Sequence, residues 1–269
     1  DILHLATSKE ILLFLDYDGT LAAIVNDPDK AYLSDEMHRT LQEVTRLFTT
    51  SIVSGRAIEK VFNFVGIKDI NYAGSHGLDI KLSATTESSS ASGKIVEEGH
   101  SYQPAQEHLA TINKVYNSLL LATDGIDGAT LENNKYCVSV HYRNVPKENQ
   151  ARVREVVEEV LEASGDGLKM TEGHMVYEVR PPTRWNKGDA VVYLLENLGF
   201  RDPSKVFPIY IGDDRTDEDA FRALQGKACG VGILVSEANR ETCASYSLRN
   251  PSEVGTFLNR LIQAKPQMI

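Results

Sequence analysis

The first part of the chain alternates between strand-like and helix-like patterns. Residues 11–15 form a continuous apolar run, which is typical of a strand covered on both faces of a parallel sheet. Ser34 or Asp35 can cap the helix that follows, because the apolar residues after it recur at helical spacing. A strand over residues 49–53 and a helix over residues 57–65 come next. This order predicts a doubly wound, Rossmann-like α/β sheet.

The same pattern returns towards the end of the chain. Residues 186–188 open a helix, residues 207–211 and 230–235 form apolar strands, and residues 251–264 form an amphipathic helix. Because both parts carry the same alternation, we expect them to build one α/β core. The predicted core domain comprises residues 1–103 and 183–269.

The middle of the chain follows a different order, which is helix, two strands, helix, two strands. In the second strand, alternation puts Val138 and Val140 on one face and Ser139, His141 and Arg143 on the other. We predict an α+β cap domain over residues 104–182, inserted into the core. The predicted elements are helices over 104–122 and 151–163, and strands over 130–135, 136–143, 168–171 and 175–180.

Composition and charge exclude several classes of protein. The chain has 269 residues, of which 42% are hydrophobic, so it can bury a sizeable core and is not globally disordered. The net charge of −10 disfavours nucleic-acid binding. No apolar stretch approaches the ~20 residues that span a bilayer. We expect a monomer whose partner is a small molecule.

The cysteines and the first residue bear on the compartment. Cys137, Cys229 and Cys243 are too scattered for a disulfide framework and indicate free thiols in a reducing, cytoplasmic compartment. The polar, low-complexity stretch over residues 83–93 predicts a mobile loop. Because the chain begins at Asp1 without Met, we expect that a preceding segment was removed, and organellar targeting stays open.

The strongest local signal is an acidic motif directly after the first strand. Asp16 and Asp18 are followed by Gly19, at the carboxyl end of a strand, where α/β sheets bind their ligands. Two carboxylates this close cannot both point into a core without a cationic partner. A hard cation such as Mg²⁺ satisfies them, because it prefers oxygen ligands. The alternative is a polar turn with no chemical role.

A second acidic motif follows the strand over residues 207–211. The helix dipole accounts for acidic residues in the first helical turn, and Thr216 with Asp219 resembles a capping box. Neither explanation covers Asp213, which lies at the end of the strand beside Asp214. Two strands of one sheet that end in acidic residues suggest a shared metal ion.

Two further signals are weak when each is taken alone. Ser54, Gly55 and Arg56 follow another strand, and a serine hydroxyl with adjacent backbone N–H groups can hold phosphate oxygens. Most Ser-Gly turns have no such role. Lys187 lies in the first turn of a helix, where it opposes the helix dipole and needs an anion nearby. An exposed lysine is the alternative.

Taken together and in this order, the four signals resemble the phosphatases of the haloacid dehalogenase superfamily. Over essentially the whole chain, the sequence is also similar to trehalose-6-phosphate phosphatases of the plant type. The motifs that carry this resemblance are LDYDGTL (15–21), VSGR (53–56), YAGSHG (72–77), ENNK (132–135), VHYR (140–143), EVRP (178–181), WNKG (185–188) and GDDRTDEDAF (212–221).

The resemblance implies an Mg²⁺-dependent hydrolase that converts trehalose 6-phosphate into trehalose and phosphate. Asp16 matches the nucleophile, which forms an aspartyl-phosphate, and Asp18 matches the general acid/base. Mg²⁺ would be held by Asp16, the backbone carbonyl of Asp18, and Asp213. Asp214 or Asp217 would orient its outer ligands. The residues expected to bind the phosphate oxygens are Ser54, Gly55 and Lys187.

The resemblance also assigns contacts to the sugar, which is a neutral polyol and needs fixed hydrogen-bond partners. For each of the sugar contacts listed below, the alternative is a polar side chain that faces solvent and binds no ligand. A locally bonded loop residue and a ligand contact remain equally open for His76, and Trp185 is expected to pack. A sugar phosphatase of broader specificity and a noncatalytic sugar-phosphate sensor remain alternative functions. The expected sugar contacts are Arg56, Glu132, Lys135, His141, Arg143, Glu178 and Asn186.

Overall fold

The computed structural model describes residues 2–6, 8–83, 100–227 and 229–265. Except for Ser83, the loop predicted over residues 83–93 lies outside the described residues. The strands are β1 (Glu10–Leu15), β2 (Thr49–Val53), β3 (Asn71–Gly74), β4 (Asp79–Lys81), β5 (Ser101–Tyr102), β6 (Thr130–Asn133), β7 (Val138–His141), β8 (Lys169–Gly173), β9 (Val176–Arg180), β10 (Val206–Gly212), β11 (Val231–Val235) and β12 (Tyr246–Leu248). The helices are α1 (Ile2–Leu5), α2 (Asp35–Leu47), α3 (Ile58–Val65), α4 (Leu109–Thr123), α5 (Gln150–Ser164), α6 (Lys187–Asn197), α7 (Asp217–Gly226) and α8 (Pro251–Ala264).

In the described part of the chain, eight strands form a large sheet in the order β12-β11-β10-β1-β2-β3-β4-β5. The pairings from β12 to β3 are parallel, and the last two are antiparallel. The predicted doubly wound α/β fold is therefore confirmed. Leu15 in β1 lies opposite Ile211 in β10 and Ile52 in β2. These three strands consequently end at the same edge of the sheet.

Both faces of the large sheet are covered by helices. Leu13 and Leu15 belong to a buried cluster with residues of α2 and α8, whereas Leu12 and Phe14 belong to another with residues of α6 and α7. Each of these side chains is at most 1% exposed, and burying one contributes about 1.5–3 kcal/mol. This burial on both sides explains why the first strand is a continuous apolar run.

Strands β6, β7, β9 and β8 form a small antiparallel sheet, against which α4 and α5 pack. Val138 and Val140 of β7 point into that packing and are fully buried. The opposite face of the sheet carries Ser139, His141 and Arg143, which line a cavity. The alternation predicted for this strand is thus confirmed. We call the small sheet with α4 and α5 the inserted layer.

Some predicted boundaries were wrong, and the domain boundaries at residues 104 and 182 stay predictions. Helix α4 begins at Leu109 and not at residue 104, because a short 3-10 turn over Gln106–His108 comes first. Strands β3, β4, β5 and β12 were not predicted; β4, β5 and β12 have only two or three residues, which is too few for a periodic pattern. Among the described helices, none has the length and apolar character needed to cross a membrane.

Candidate active site

Three carboxylates from two distant parts of the chain converge at the edge where β1 and β10 end. Oxygen atoms of Asp16, Asp213 and Asp217 all lie within 4.8 Å of one another. The loop after β1 comes close to the loop after β10, since a Cβ atom on Gly19 would approach an Asp213 oxygen to 2.1 Å. The positive φ of Gly19 (75°) also favours glycine there. The predicted convergence of Asp16 and Asp213 is therefore observed.

Lys187 connects two members of this acidic cluster. Its ammonium donates to Asp16 Oδ1 at 2.9 Å and to Asp217 Oδ1 at 2.8 Å, and the lysine is only 2% exposed. The Tyr210 hydroxyl, which is also buried, donates to the same Asp217 oxygen at 2.6 Å. A buried ammonium with two carboxylate partners is a fixed part of the site. The alternative of an exposed lysine is excluded.

The pKa directions in the cluster follow from burial and crowding. Burial raises the pKa values of Asp16 and Asp213 well above the usual range of an aspartate, and neighbouring carboxylates raise both values further. Burial also raises the pKa of Asp217. For Lys187, burial opposes the charge, but Asp16 and Asp217 raise the pKa well above its usual value. One ammonium does not balance three carboxylates, so the cluster suits a divalent cation with oxygen ligands.

Asp214 lies beside the cluster but is held in a different way. Its Oδ1 accepts hydrogen bonds from the Thr216 backbone N–H at 2.7 Å, the Thr216 hydroxyl at 2.6 Å and the Asp217 N–H at 3.3 Å. Although burial opposes the charge, Lys187 and these bonds lower the pKa of Asp214 to about 2. The expected capping of this helix by the Thr216 side chain was wrong, because Asp214 satisfies these N–H groups. A role for Asp214 at a metal ion stays a prediction.

Asp18 is paired with the guanidinium of Arg56. Arg56 Nε donates to Asp18 Oδ2 at 2.6 Å, and Arg56 Nη2 donates to Asp18 Oδ1 at 2.7 Å. Both carboxylate oxygens are thus engaged in a bidentate pair. Burial opposes the charge of Arg56, but Asp18 and Glu132 raise its pKa above the ordinary value. Beside this pair, the buried Ser54 hydroxyl accepts a hydrogen bond from the Arg56 N–H at 3.2 Å.

A cavity of about 180 Å³ lies between the edge of the large sheet and the polar face of the small one. It is lined from both sides by residues that the sequence analysis singled out. Ser54, Lys135 and Asn186 are absent from the described residues that line it. Those that line it are Asp16, Asp18, Gly55, Arg56, His76, Glu132, His141, Arg143, Glu178, Lys187, Asp213 and Asp214.

Glu132 of β6 forms polar contacts that join the inserted layer to the core. It accepts hydrogen bonds or ion pairs from Arg56 at 3.3 Å, Lys60 at 2.7 Å and His141 at 3.3 Å. Burial would raise the pKa of Glu132, but His141, Arg56 and Lys60 lower it to about 2. Lys60 was missed, although it lies in the first turn of α3 and the argument that singled out Lys187 applies to it as well.

Lys135 and Asn186 have other partners in this structure. The Lys135 ammonium contacts Asp79 Oδ2 at 2.7 Å and lines a separate cavity beside β3 and β4. The Asn186 side chain accepts from the Asp189 N–H at 3.1 Å, and Asp189 accepts from the Asn186 N–H at 3.0 Å. This reciprocal pair caps α6 and places Lys187 at its first position. Their roles as sugar contacts stay predictions.

His76 joins the core to the inserted layer. Its Nε2 lies 2.8 Å from Glu178 Oε1 on β9. Burial lowers the pKa of His76. Burial opposes the charge of Glu178, but the contact with His76 lowers the pKa of Glu178. The sequence left a locally bonded loop histidine and a ligand contact open. The structure gives a contact across 102 positions of the chain, and because His76 also lines the cavity, a contact with a ligand stays a prediction. Trp185 packs as expected, with its indole N–H donating to the Gly77 carbonyl at 2.8 Å.

The comparison with known families decides the class of the protein. The family model of trehalose-phosphatase matches residues 14–252. The chain belongs to the trehalose-phosphatase family. It is 49% identical over 267 residues to the probable trehalose-phosphate phosphatase H of Arabidopsis thaliana, which covers 98% of this chain and 75% of that protein. The trehalose-phosphate phosphatase B of the same plant is 47% identical over 269 residues, covering 100% of this chain and 71% of that protein. As a member of the trehalose-phosphatase family, the chain is a phosphatase.

Solved structures agree with this fold. A trehalose-6-phosphate phosphatase related protein has a TM-score of 0.78 and 24% identity, with 96% of this chain and 100% of that one covered. The C-terminal domain of the Candida albicans trehalose-6-phosphate phosphatase has a TM-score of 0.76 and 24% identity, with 97% and 95% covered. At this identity the likeness shows the fold alone.

Proposed function

We propose that this phosphatase hydrolyses trehalose 6-phosphate to trehalose and inorganic phosphate through an aspartyl-phosphate on Asp16. The observation that carries the proposal is the position of Asp16. This carboxylate lies at the bottom of the cavity between the sheets, bound to Lys187 and clustered with Asp213. The opposite wall carries polar side chains of the small sheet. A reactive carboxylate under a polar, concave surface suits a phosphorylated polyol.

The proposed reaction consists of two displacements at phosphorus. In the first, an Asp16 oxygen bonds to phosphorus, the bond between phosphorus and the sugar oxygen breaks, and Asp18 gives that oxygen a proton. In the second, Asp18 takes a proton from water as the water oxygen bonds to phosphorus, and the aspartyl-phosphate bond breaks. Phosphate leaves and both carboxyl groups return to their starting states. Lys187 holds Asp16 and is placed to neutralise phosphate charge.

Mg²⁺ fits the acidic cluster. Asp16 and Asp213 would hold it together with the backbone carbonyl of Asp18, and the clustering of Asp217 with the first two favours Asp217 as the further acidic residue. Asp214 stays the alternative in that last role. When bound, Mg²⁺ offsets the repulsion between carboxylate and phosphate and stabilises the charge of the transition state.

Asp18 must change partners before it can act as an acid. Both of its oxygens accept from Arg56, and this bidentate pair holds the carboxylate towards the guanidinium. We infer that sugar hydroxyl groups take over Arg56 when substrate binds, which releases Asp18. The pair would thereby limit chemistry in the absence of a sugar.

The sugar would be bound mainly by the inserted layer, acting as a cap. Trehalose has no charge, so its hydroxyl groups need donors and acceptors in fixed positions. Glu132, His141, Arg143 and Glu178 supply both kinds on one wall of the cavity. Closure of the cap, with hinges near residues 103–104 and 181–182, would exclude water from the first displacement.

A phosphate-release assay tests the proposal. We expect turnover of trehalose 6-phosphate that requires Mg²⁺, stops with EDTA and returns when Mg²⁺ is restored. The substrate panel should include sucrose 6-phosphate and glucose 6-phosphate. Comparable turnover of all three would indicate a sugar phosphatase of broader specificity. Tight binding of trehalose 6-phosphate without turnover would indicate a sensor, and either result would overturn the proposal.

A further inference from the structure

The loop that carries His76 has an unusual backbone. Ser75, His76 and Gly77 have consecutive positive φ angles of 51°, 56° and 91°. Residues other than glycine adopt this conformation uncommonly, although asparagine, aspartate and histidine do so more often than the rest, and surrounding contacts are needed to keep it. A run of three such residues beside a cleft indicates that the position of the His76 side chain is imposed by the fold.

The contacts that hold this turn come from two different parts of the molecule. The Ser75 N–H donates to the Arg56 carbonyl at 2.8 Å, and the His76 N–H donates to the Ser54 carbonyl at 2.9 Å. The Ser75 hydroxyl donates to the carbonyl of Asn134, next to β6. The turn is therefore bonded both to the loop over residues 54–56, which we call the phosphate loop, and to the inserted layer.

The imidazole ring bridges the same two parts. On one side it packs against Gly55 so closely that a Cβ atom there would lie 2.7 Å from the ring. On the other side its Nε2 is 2.8 Å from Glu178 Oε1. The ring is only 4% exposed, and its Nδ1 has no hydrogen-bond partner within the described ranges. Within the described ranges, the hydrogen bond with Glu178 is thus the polar contact of the imidazole ring.

We propose that His76 is a positioning residue that sets the distance between Glu178 and the phosphate loop. This rests on the proposed function, since Glu178 is there a contact to the sugar. A phosphate ester whose phosphate occupies the phosphate loop then reaches Glu178 only if its sugar has the matching length and hydroxyl arrangement. His76 would in this way determine specificity without contacting the reacting atoms.

The test uses His76→Gln, Glu178→Gln and the double variant, with trehalose 6-phosphate and p-nitrophenyl phosphate as substrates. We expect each single variant to lower the ratio of kcat/KM for the sugar phosphate to kcat/KM for the aryl phosphate by about tenfold or more, mainly through KM. The double variant should lower the ratio no further than one single variant, because both remove the same link. His38→Gln is the matched control, since His38 bonds the Val65 carbonyl at 2.9 Å away from the cavity.

Two results would overturn the proposal. One is an unchanged ratio of the two kcat/KM values in His76→Gln. The other is a double variant in which the fold-decrease of this ratio is the product of the fold-decreases in the two single variants. If His76→Gln fails to fold, His76→Asn replaces it, because asparagine tolerates the positive φ and is too short to reach Glu178. Glu178→Gln leaves the turn intact and tests the link from the other side.

A failure of the proposed function can be told apart from a failure of this inference. If the wild-type protein does not turn over trehalose 6-phosphate, the proposed function fails. The link between His76 and Glu178 is then measured by the same double-mutant cycle on the thermal midpoint of unfolding. Non-additive shifts would support the link, and additive shifts would contradict it.

Discussion

The acidic edge of the large sheet and the polar face of the small sheet meet at one cavity but are built differently. At the edge, Asp16, Asp217 and Lys187 are almost fully buried and bonded to one another. On the face, His141 is about a quarter exposed and has a long contact to Glu132. At the edge each buried charge requires its partner, whereas a partly exposed side chain such as His141 can exchange its protein partner for a sugar hydroxyl group. Under the proposed function, this contrast separates the site of chemistry from the site that selects the sugar.

The largest effect should come from Asp16→Asn at the edge. Since the amide is a poor nucleophile, we expect kcat to fall by about a thousandfold or more for every phosphate ester, sugar or aryl. The measurement is phosphate release with both substrates. Asp219→Asn is the control, because Asp219 is paired with Arg222 on the outside of α7. Residual activity within tenfold of the wild type would show that Asp16 is not the nucleophile.

Arg56→Ala tests the boundary between the two regions. Arg56 contacts Asp18 and Glu132 at once, so its loss removes a sugar contact and frees Asp18. We expect kcat/KM for trehalose 6-phosphate to fall about a hundredfold, whereas kcat/KM for p-nitrophenyl phosphate, which has no sugar hydroxyl groups to displace Arg56, should not fall. Arg152→Ala, on the exposed side of α5, is the control. Equal losses for both substrates would contradict the partner exchange proposed for Asp18.

Tyr210→Phe removes one hydroxyl group beneath the edge. Without the hydrogen bond to Asp217 Oδ1, that carboxylate is less well oriented, and the Mg²⁺ concentration for half-maximal activity should rise about tenfold. Titration of the thermal midpoint with Mg²⁺ gives the same affinity without an activity readout. Tyr72→Phe is the matched control, since its hydroxyl bonds the Ile67 carbonyl away from the site. An unchanged Mg²⁺ affinity would show that Tyr210 serves packing alone.

The smallest effect concerns stability and pH. Because burial raises the pKa of Asp16 and of Asp213, the folded state holds protons there that the unfolded state has released. In EDTA, these two groups should therefore lower the free energy of unfolding from about pH 5 to about pH 8, whereas His76, whose pKa burial lowers, acts in the opposite direction up to about pH 7. Glu132 and Asp214, whose pKa values are about 2, contribute their full stability throughout this range.

Added Mg²⁺ should remove most of this decrease. It binds the ionised carboxylates of the folded state and should raise the thermal midpoint by a few degrees more at about pH 8 than at about pH 5. The measurement is thermal unfolding at both pH values with EDTA or Mg²⁺. An equal Mg²⁺ effect at the two pH values would mean that the acidic cluster is not where the cation binds.

Sequence patterns predicted the parts of the molecule that rest on local chemistry. A continuous apolar run followed by acids gave the position of Asp16 and Asp213, because parallel strands end at one edge. Period-two alternation in β7 gave the face that carries His141. Both predictions depend only on neighbouring residues and on the rules of sheet geometry.

The remaining features depend on contacts between distant residues. Nothing near Lys60 indicates that it contacts Glu132, and nothing near Lys135 indicates that it pairs with Asp79. The link from His76 to Glu178 is of the same kind, because it depends on how the inserted layer is oriented. Short strands such as β5 have too few residues to form a pattern. These features arise from tertiary packing and are absent from local periodicity.

The position of β1 has a consequence for how the chain is made on the ribosome. β1 pairs with β2 on one side but with β10 on the other, and β10 spans Val206–Gly212. During synthesis, one edge of this very apolar strand therefore stays open until most of the polypeptide has emerged. Open apolar edges are prone to aggregate. Slow translation or depleted chaperones should lower the yield of this protein more than that of a protein whose central strand pairs with its neighbours in sequence.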